Sequence, residues 1–225
     1  MRVSVIIPVL DEEKTIATTL GAVKLLHPDE ILVIDGGSRD QTREISTRAG
    51  ARVLAGPRGR ACQMNQGARV AAGDVFLFVH ADTRLPPSAL DDMRSALSDP
   101  KVVAGRFDLV LDGDHWMLNV IGALINIRSR LTKVATGDQA IFVRRKTFEQ
   151  VGGFPDIPLM EDIAFCRALK RKGQIACLRS WVNTSARRWE AEGIWRTMVK
   201  MWTIKLLYLA GVSPIRLKRY YADPR

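Results

Sequence analysis

Residues 1–100 alternate between short apolar, β-branched runs and stretches of helical spacing, and each run stops at a polar cluster. Val3 to Val9 carries no charge and ends before Asp11-Glu12-Glu13, after which helical spacing extends from Thr15 to Leu26. The spacing predicts strand, loop, helix. Ile31 to Ile34 repeats the run and stops at Asp35-Gly36-Gly37-Ser38, where Ser38 is placed to cap a helix reaching about Ala49. Arg52 to Leu54 is a third strand, Arg60 to Ala72 a helix, and Val75 to Val79 a fourth strand ending at His80-Ala81-Asp82. Strands without polar alternation that take turns with helices predict an α/β fold, a mainly parallel, Rossmann-like sheet covered on both faces.

In such a sheet, ligands bind beyond the carboxyl ends of the strands. The three polar clusters all follow strand ends, so they converge on one rim. Farther on, Val102 to Leu111 reads as a longer strand, Trp116 to Leu131 as a helix, Ala140 to Val143 as a strand, and Met160-Glu161-Asp162 as the opening of a helix to about Lys172. No internal repeat or flexible linker interrupts the chain, which predicts one domain over 1–225. Its parts are a nucleotide-binding half (1–100), an acceptor half (101–178) and a basic amphipathic segment (179–225).

Several chemistries are excluded by what the turns lack. The first turn, Leu10-Asp11-Glu12-Glu13-Lys14, has neither GxGxxG spacing for a dinucleotide nor a GxxxxGK[ST] loop, and no GxSxG elbow exists for a serine hydrolase. Cys62, Cys166 and Cys177 form no CxxC pair and are expected as reduced thiols in a cytoplasmic protein, which also makes structural zinc an unfavoured reading. The N-terminus lacks the apolar stretch of a secretory signal, and Lys200 and Lys205 interrupt the best candidate for a spanning helix. What remains is a rim of carboxylates. Asp35 could accept from a base N–H or a ribose hydroxyl, Asp82 suits a hard divalent cation on a diphosphate, and Asp162 beside Glu161 suits a general base. Each residue also has a plain alternative: backbone capping for Asp35 and Asp162, a turn for Asp82.

In order, these residues resemble the family 2 glycosyltransferases of the GT-A fold. The matching residues are Val3 to Pro8 with Glu12, Ile34-Asp35-Gly36-Gly37-Ser38 with Asp40 and Thr42, Asn65-Gln66-Gly67, Ala72-Gly73-Asp74, His80-Ala81-Asp82 in the place of a DxD motif, Gly137-Asp138-Gln139, and Glu161-Asp162. They cover roughly residues 3–178, and the subgroup resembled is a small bacterial type with a His-Ala-Asp-Thr sequence at the metal position. The resemblance implies a nucleotide-sugar donor, UDP- or GDP-linked, held by Pro8, Glu12, Asp35, Arg58 and Arg60. It implies Mn²⁺ or Mg²⁺ on Asp82, and Asp162 as the base that activates an acceptor hydroxyl for inverting attack. Asp138, Gln139, Glu161, Arg188 and Trp189 would then face the acceptor or the phosphates. His80 stands where the family has its first DxD carboxylate. Imidazole is acceptable to Mn²⁺ and poorer for Mg²⁺, so His80 either ligates the metal or touches only the ribose.

Charge separates the catalytic body from the remainder. The chain has a net charge of +10; residues 1–100 hold 12 basic and 13 acidic side chains, residues 101–163 hold 8 and 8, and residues 164–225 hold 14 and 3. The excess therefore belongs to the last segment, which also carries four of the five tryptophans. On a helix from about Ala191 to Ala210, Trp195, Met198, Trp202, Leu206 and Leu209 share a face broken by Lys205. Such a stripe either packs on its own sheet or lies in an anionic membrane interface, where a lipid-linked acceptor would be met. The rivals are a nucleotidyltransferase, which lacks its Gly-rich phosphate loop here, and a non-catalytic nucleotide-sugar-binding module, against which both Asp82 and Asp162 stand. Nucleic-acid binding has no recognition motif and is not expected.

Overall fold

Seven consecutive buried residues form the first strand, β1 (Val3–Val9). A strand apolar on both sides needs cover on both faces. The computed structural model, which describes residues 1–221, supplies that cover. After β1 come α1 (Ile16–Lys24), β2 (Glu30–Asp35), α2 (Thr42–Arg48), β3 (Arg52–Ala55), α3 (Arg60–Val70) and β4 (Val75–Phe78). The chain continues through β5 (Thr83–Arg84), α4 (Ala89–Ala96), β6 (Val102–Asp112), α5 (Trp116–Thr132), a 3₁₀ turn (Gly137–Gln139), β7 (Ile141–Arg144) and α6 (Arg145–Val151). It ends in α7 (Glu161–Leu169), β8 (Gln174–Ser185), α8 (Arg187–Glu192), α9 (Ile194–Leu209) and α10 (Pro214–Lys218).

All eight strands join one sheet in the order β3-β2-β1-β4-β7-β6-β8-β5. Strands β3, β2, β1 and β4 run parallel, β7 is antiparallel to both β4 and β6, β8 is parallel to β6, and β5 is antiparallel to β8. The carboxyl ends of β1, β2, β4, β6 and β8 therefore share a rim with the amino end of β7. That rim is the place where the sequence clusters its carboxylates.

Two apolar layers hold the sheet. On one face, Ile16, Leu20 and Val23 of α1, Leu90 and Met93 of α4, and Leu118 and Ile121 of α5 pack on alternate strand residues. The other face carries Met64 of α3, Phe148 of α6, Phe165 and Leu169 of α7, and Ile204 of α9. Phe165 is fully buried, with its ring centroid 4.0 Å from that of Phe154 and 5.6 Å from that of Phe148. This cluster seats α7, and so fixes Glu161 and Asp162 at the rim. Helix α5 is clamped to β6 by Asn126, whose side chain accepts the Leu109 N–H and donates to the Leu109 carbonyl, each at 2.9 Å.

Three expectations are corrected. Ser38 does not cap α2; its hydroxyl accepts the Asp11 N–H at 2.9 Å, and α2 begins only at Thr42. Strand β8 was not foreseen, and the boundary expected at residue 178 falls within it. The apolar stripe of α9 meets the core only through Met198: Thr197 and Ile204 turn inward, while Trp195, Trp202, Leu206 and Leu209 are exposed. The three cysteines are free.

Candidate active site

The loops after β1 and β2 are laced together by side chains that bond each other's backbone. Asp11 accepts the Arg39 N–H at 2.8 Å, Thr42 Oγ1 accepts the Glu12 N–H at 2.8 Å, Asp40 accepts the Glu13 N–H at 3.0 Å, and Glu13 accepts the Gln41 N–H at 3.1 Å. Asp11 itself has φ of 53°, a conformation an aspartate tolerates when it is locally hydrogen-bonded. Ser38, Asp40 and Thr42 thus have a visible physical role: they fix Glu12. Asp35 is 1% exposed, and its carboxylate accepts the backbone N–H groups of Gly37 and Ser38 at 3.2 and 3.1 Å. It stands behind the rim.

In front of the rim lies a cavity of about 640 Å³. Pro8, Glu12, Arg60, His80 and Asp82 line its inner end, and Asp138, Glu161, Asp162, Arg188 and Trp189 also face it. Asp35, Arg58 and Gln139 are not part of its lining. Gln139 is fully buried and donates to Ser129 Oγ at 3.0 Å, so it braces the 3₁₀ turn against α5. Arg58 is exposed on the loop before α3.

Electrostatics mark two groups in this cavity. Burial, and then the neighbouring Glu161 carboxylate, raise the pKa of Asp162 to about 6, although its oxygens accept the N–H groups of Gly137 at 2.8 Å and Ile163 at 2.7 Å. A carboxylate poised there can take a proton near neutral pH. Burial, then Arg60 and Arg188, push the imidazole of His80 well below its ordinary range, so it is neutral. Among the described residues its buried Nε2 has no hydrogen-bond partner, and it lies where a Cβ on Gly137 would approach to 2.5 Å. Glycine at 137 is therefore required by His80.

Glu12 and Asp82 converge on one cation. Arg187 Nη2, at the start of α8, is 2.9 Å from Glu12 Oε2 and 3.3 Å from Asp82 Oδ2. Arg60 Nη1 lies 3.6 Å from Glu161 Oε1. Arg188 stacks its guanidinium 4.5 Å from the ring centroid of Tyr221.

The outer end of the cavity is an apolar trough. Leu124, Ile127 and Leu131 of α5 form part of the wall, as do Met198, Met201, Trp202, Leu206 and Leu209 of α9. Arg128 and Lys205 reach into it. Burial, then the charge of Arg128, lower the pKa of Lys205, and among the described residues the buried Nε and Nη2 of Arg128 have no hydrogen-bond partner. Sequence reasoning missed Arg128 as a site residue and the inward turn of Lys205. The single usable signal was the placement of cations on otherwise apolar helices.

The chain is 26% identical over 157 residues to the undecaprenyl-phosphate 4-deoxy-4-formamido-L-arabinose transferase of Serratia proteamaculans, which covers 64% of this chain and 48% of that protein. The chain spans between 26% and 48% of the length of the curated relatives it matches. Among solved structures, S. aureus TarS 1–349 in complex with UDP-GlcNAc superposes with a TM-score of 0.65 at 19% identity, over 82% of this chain and 58% of that one. The mannosyltransferase PcManGT of Pyrobaculum calidifontis, in complex with GDP-Man and Mn²⁺, gives a TM-score of 0.62 at 21% identity, over 81% and 56%. These neighbours share the GT-A fold. The model of glycosyl transferase family 2 matches residues 4–172, which hold every strand but β8, and the chain belongs to that family of glycosyltransferases.

Proposed function

We propose that this enzyme transfers a sugar, with inversion, from a UDP- or GDP-sugar to a hydroxyl of a lipid-linked acceptor met at an anionic membrane surface. The observation that carries the proposal is that Asp82 and Asp162 face one cavity whose inner end is polar and whose outer end is apolar. A nucleoside diphosphate is met by Pro8, Glu12, Arg60 and Asp82 at the inner end, with Asp35 and Arg58 contributing from behind and beside it. Asp162, a carboxylate above about pH 6, removes the acceptor proton as the hydroxyl attacks the anomeric carbon. The departing diphosphate is stabilised by the cationic side chains of Arg60 and Arg188 at the wall.

Glu12 and Asp82 fit a divalent cation, because two carboxylates already converge on one cationic atom. Bound there, Mn²⁺ or Mg²⁺ would offset the charge of the leaving diphosphate. Among the described residues no group of three His, Cys, Asp or Glu side chains is placed to hold a metal ion, so the donor's phosphate oxygens are the natural source of further ligands. His80 is present in the neutral form that a metal or a ribose hydroxyl requires.

For the acceptor, Asp138, Glu161, Arg188 and Trp189 line the same cavity. The trough beyond them suits an apolar tail, and the cations Arg128 and Lys205 suit an anionic group at its head. Exposed stripes extend the apolar surface outward: Trp116, Val120, Leu124, Ile127 and Leu131 on α5, and Trp195, Val199, Trp202, Leu206 and Leu209 on α9, each between 46% and 80% exposed. With the basic excess of residues 164–225, they form the surface an interfacial protein presents to anionic lipid. Among the described residues no helix is long and apolar enough to cross a membrane. The proposal accordingly puts the enzyme in the cytoplasm, peripheral to the inner face of the membrane.

Thermal-shift assays with UDP-, GDP- and dTDP-sugars, each with and without Mn²⁺, test the donor. One nucleotide class should stabilise the chain in a manner lost in Asp35→Ala and Asp82→Ala; no response to any of them overturns the donor assignment. Flotation with anionic liposomes at low salt tests the surface. Equal recovery in the soluble fraction with and without liposomes overturns the membrane assignment.

A further inference from the structure

Arg187 occupies the place between Glu12 and Asp82 by construction. Strand β8 ends beside the loop that carries Asp82: the Asp82 carbonyl accepts the Ser185 N–H at 3.2 Å, and the Asp112 carbonyl accepts the Ala186 N–H at 3.3 Å. Ser185 Oγ then accepts the Arg187 N–H at 3.2 Å. The backbone of Arg187 is thereby fixed within reach of the two carboxylates, 175 and 105 residues away in sequence. Its guanidinium bonds both through one nitrogen. These are charge-assisted bonds between planar, complementary groups.

We infer that Arg187 is the built-in counter-cation of the donor site, which holds Glu12 and Asp82 in the empty enzyme and must leave them before a divalent metal can bind. A guanidinium and a divalent ion on the same oxygens repel each other, so the two occupants exclude one another. A nucleoside diphosphate changes the balance, because its phosphates bring enough negative charge for both cations. Arg187 then transfers from the carboxylates to the phosphates, and Glu12 and Asp82 become free for the metal. Metal and donor consequently bind with positive coupling, and by linkage each strengthens the other to the same degree.

The proposal rests on the donor-site reading above, and the experiment separates the two. Mn²⁺ binding is measured by calorimetry and by electron paramagnetic resonance on the full chain, first without nucleotide, for wild type, Arg187→Met and Arg187→Lys. Arg187→Met should bind Mn²⁺ at least tenfold more tightly than wild type, and Arg187→Lys should fall between them. Repeating the titration with UDP or GDP should tighten Mn²⁺ binding in wild type and have less effect in Arg187→Met. Equal Mn²⁺ affinity of wild type and Arg187→Met without nucleotide, including no binding by either, overturns the proposal. The nucleotide-free comparison holds whether or not UDP or GDP binds, whereas failure of both nucleotides to bind wild type counts against the donor assignment alone. Circular dichroism and melting of each variant exclude misfolding as the source of a difference, and the charge-preserving Arg187→Lys supplies a second comparison.

Discussion

The two ends of the cavity are built in opposite ways. At the polar end, loops are laced by reciprocal side-chain and backbone hydrogen bonds, and Asp35 is anchored by backbone N–H groups. At the apolar end, α5 and α9 leave apolar stripes uncovered and hold Arg128 donors without protein partners among the described residues. Rigid preorganisation suits a ligand with many fixed polar atoms, since its binding then orders little of the protein. An incomplete apolar surface suits a partner that is itself soft and extended. The contrast teaches that, under the proposed function, the chain is finished on the nucleotide side and left open on the acceptor side.

The strongest way to break this contrast is to remove the group that joins its two halves. Asp162→Asn should lower kcat by roughly 10²–10⁴-fold, the usual range for loss of a general base, with little change in nucleotide affinity. In wild type, kcat/KM should fall about tenfold per pH unit below about 6, where Asp162 is protonated. The sign for stability is the reverse of that for activity. Because folding raises the Asp162 pKa from the ordinary 3.8 of an aspartate to about 6, its ionised form opposes folding above about pH 6, and that opposition disappears as pH falls toward 4. Asp162→Asn should therefore melt no lower than wild type at pH 8; a clear drop in Tm would contradict the burial assigned to it.

Next in size, Phe165→Ala opens the aromatic cluster beneath α7 and should cost about 3–5 kcal/mol by urea unfolding. By contrast, Trp202→Ser with Leu206→Ser should alter unfolding by no more than about 0.5 kcal/mol per site, since both side chains are exposed. The same pair should weaken anionic-liposome binding more than tenfold, since each buried large apolar side chain contributes about 1.5–3 kcal/mol. If stability fell and liposome binding did not, the stripe would be core and the contrast would fail. Smallest is Thr42→Val, which leaves the Glu12 N–H without its acceptor. It should cost about 1 kcal/mol and raise KM for the donor, which sharpens the claim that the lacing serves Glu12.

How much of this was legible in sequence varied with burial. The apolar runs at the heart of β1, β2 and β4 made those strands clear, because such runs between turn residues have one physical explanation. Strand β8 was hidden because only its last residues, Val182 and Thr184, are buried while Trp181 faces outward. Its pairing with β6 comes from tertiary context, including two register shifts. At the site, Glu12, Asp82 and Asp162 were found because strand ends and helix starts are where a doubly covered sheet exposes side chains. Gln139 was named for a motif yet is buried as a brace, and Asp35 sits behind the wall with its backbone partners. No local pattern distinguishes these from ligands. The encounter of Arg187 with Glu12 and Asp82 was out of reach, since those partners lie on other strands' loops and sequence spacing holds no record of it.

Helices α8, α9 and α10 all leave the sheet from one strand end, Ser185. The cationic finger, the tryptophan-bearing stripe and one wall of the trough are consequently encoded by a single contiguous stretch of gene. One crossover near that codon would exchange Arg187 and the α9 wall of the trough together, while the α5 wall, Asp138, Glu161 and Asp162 stayed with the recipient.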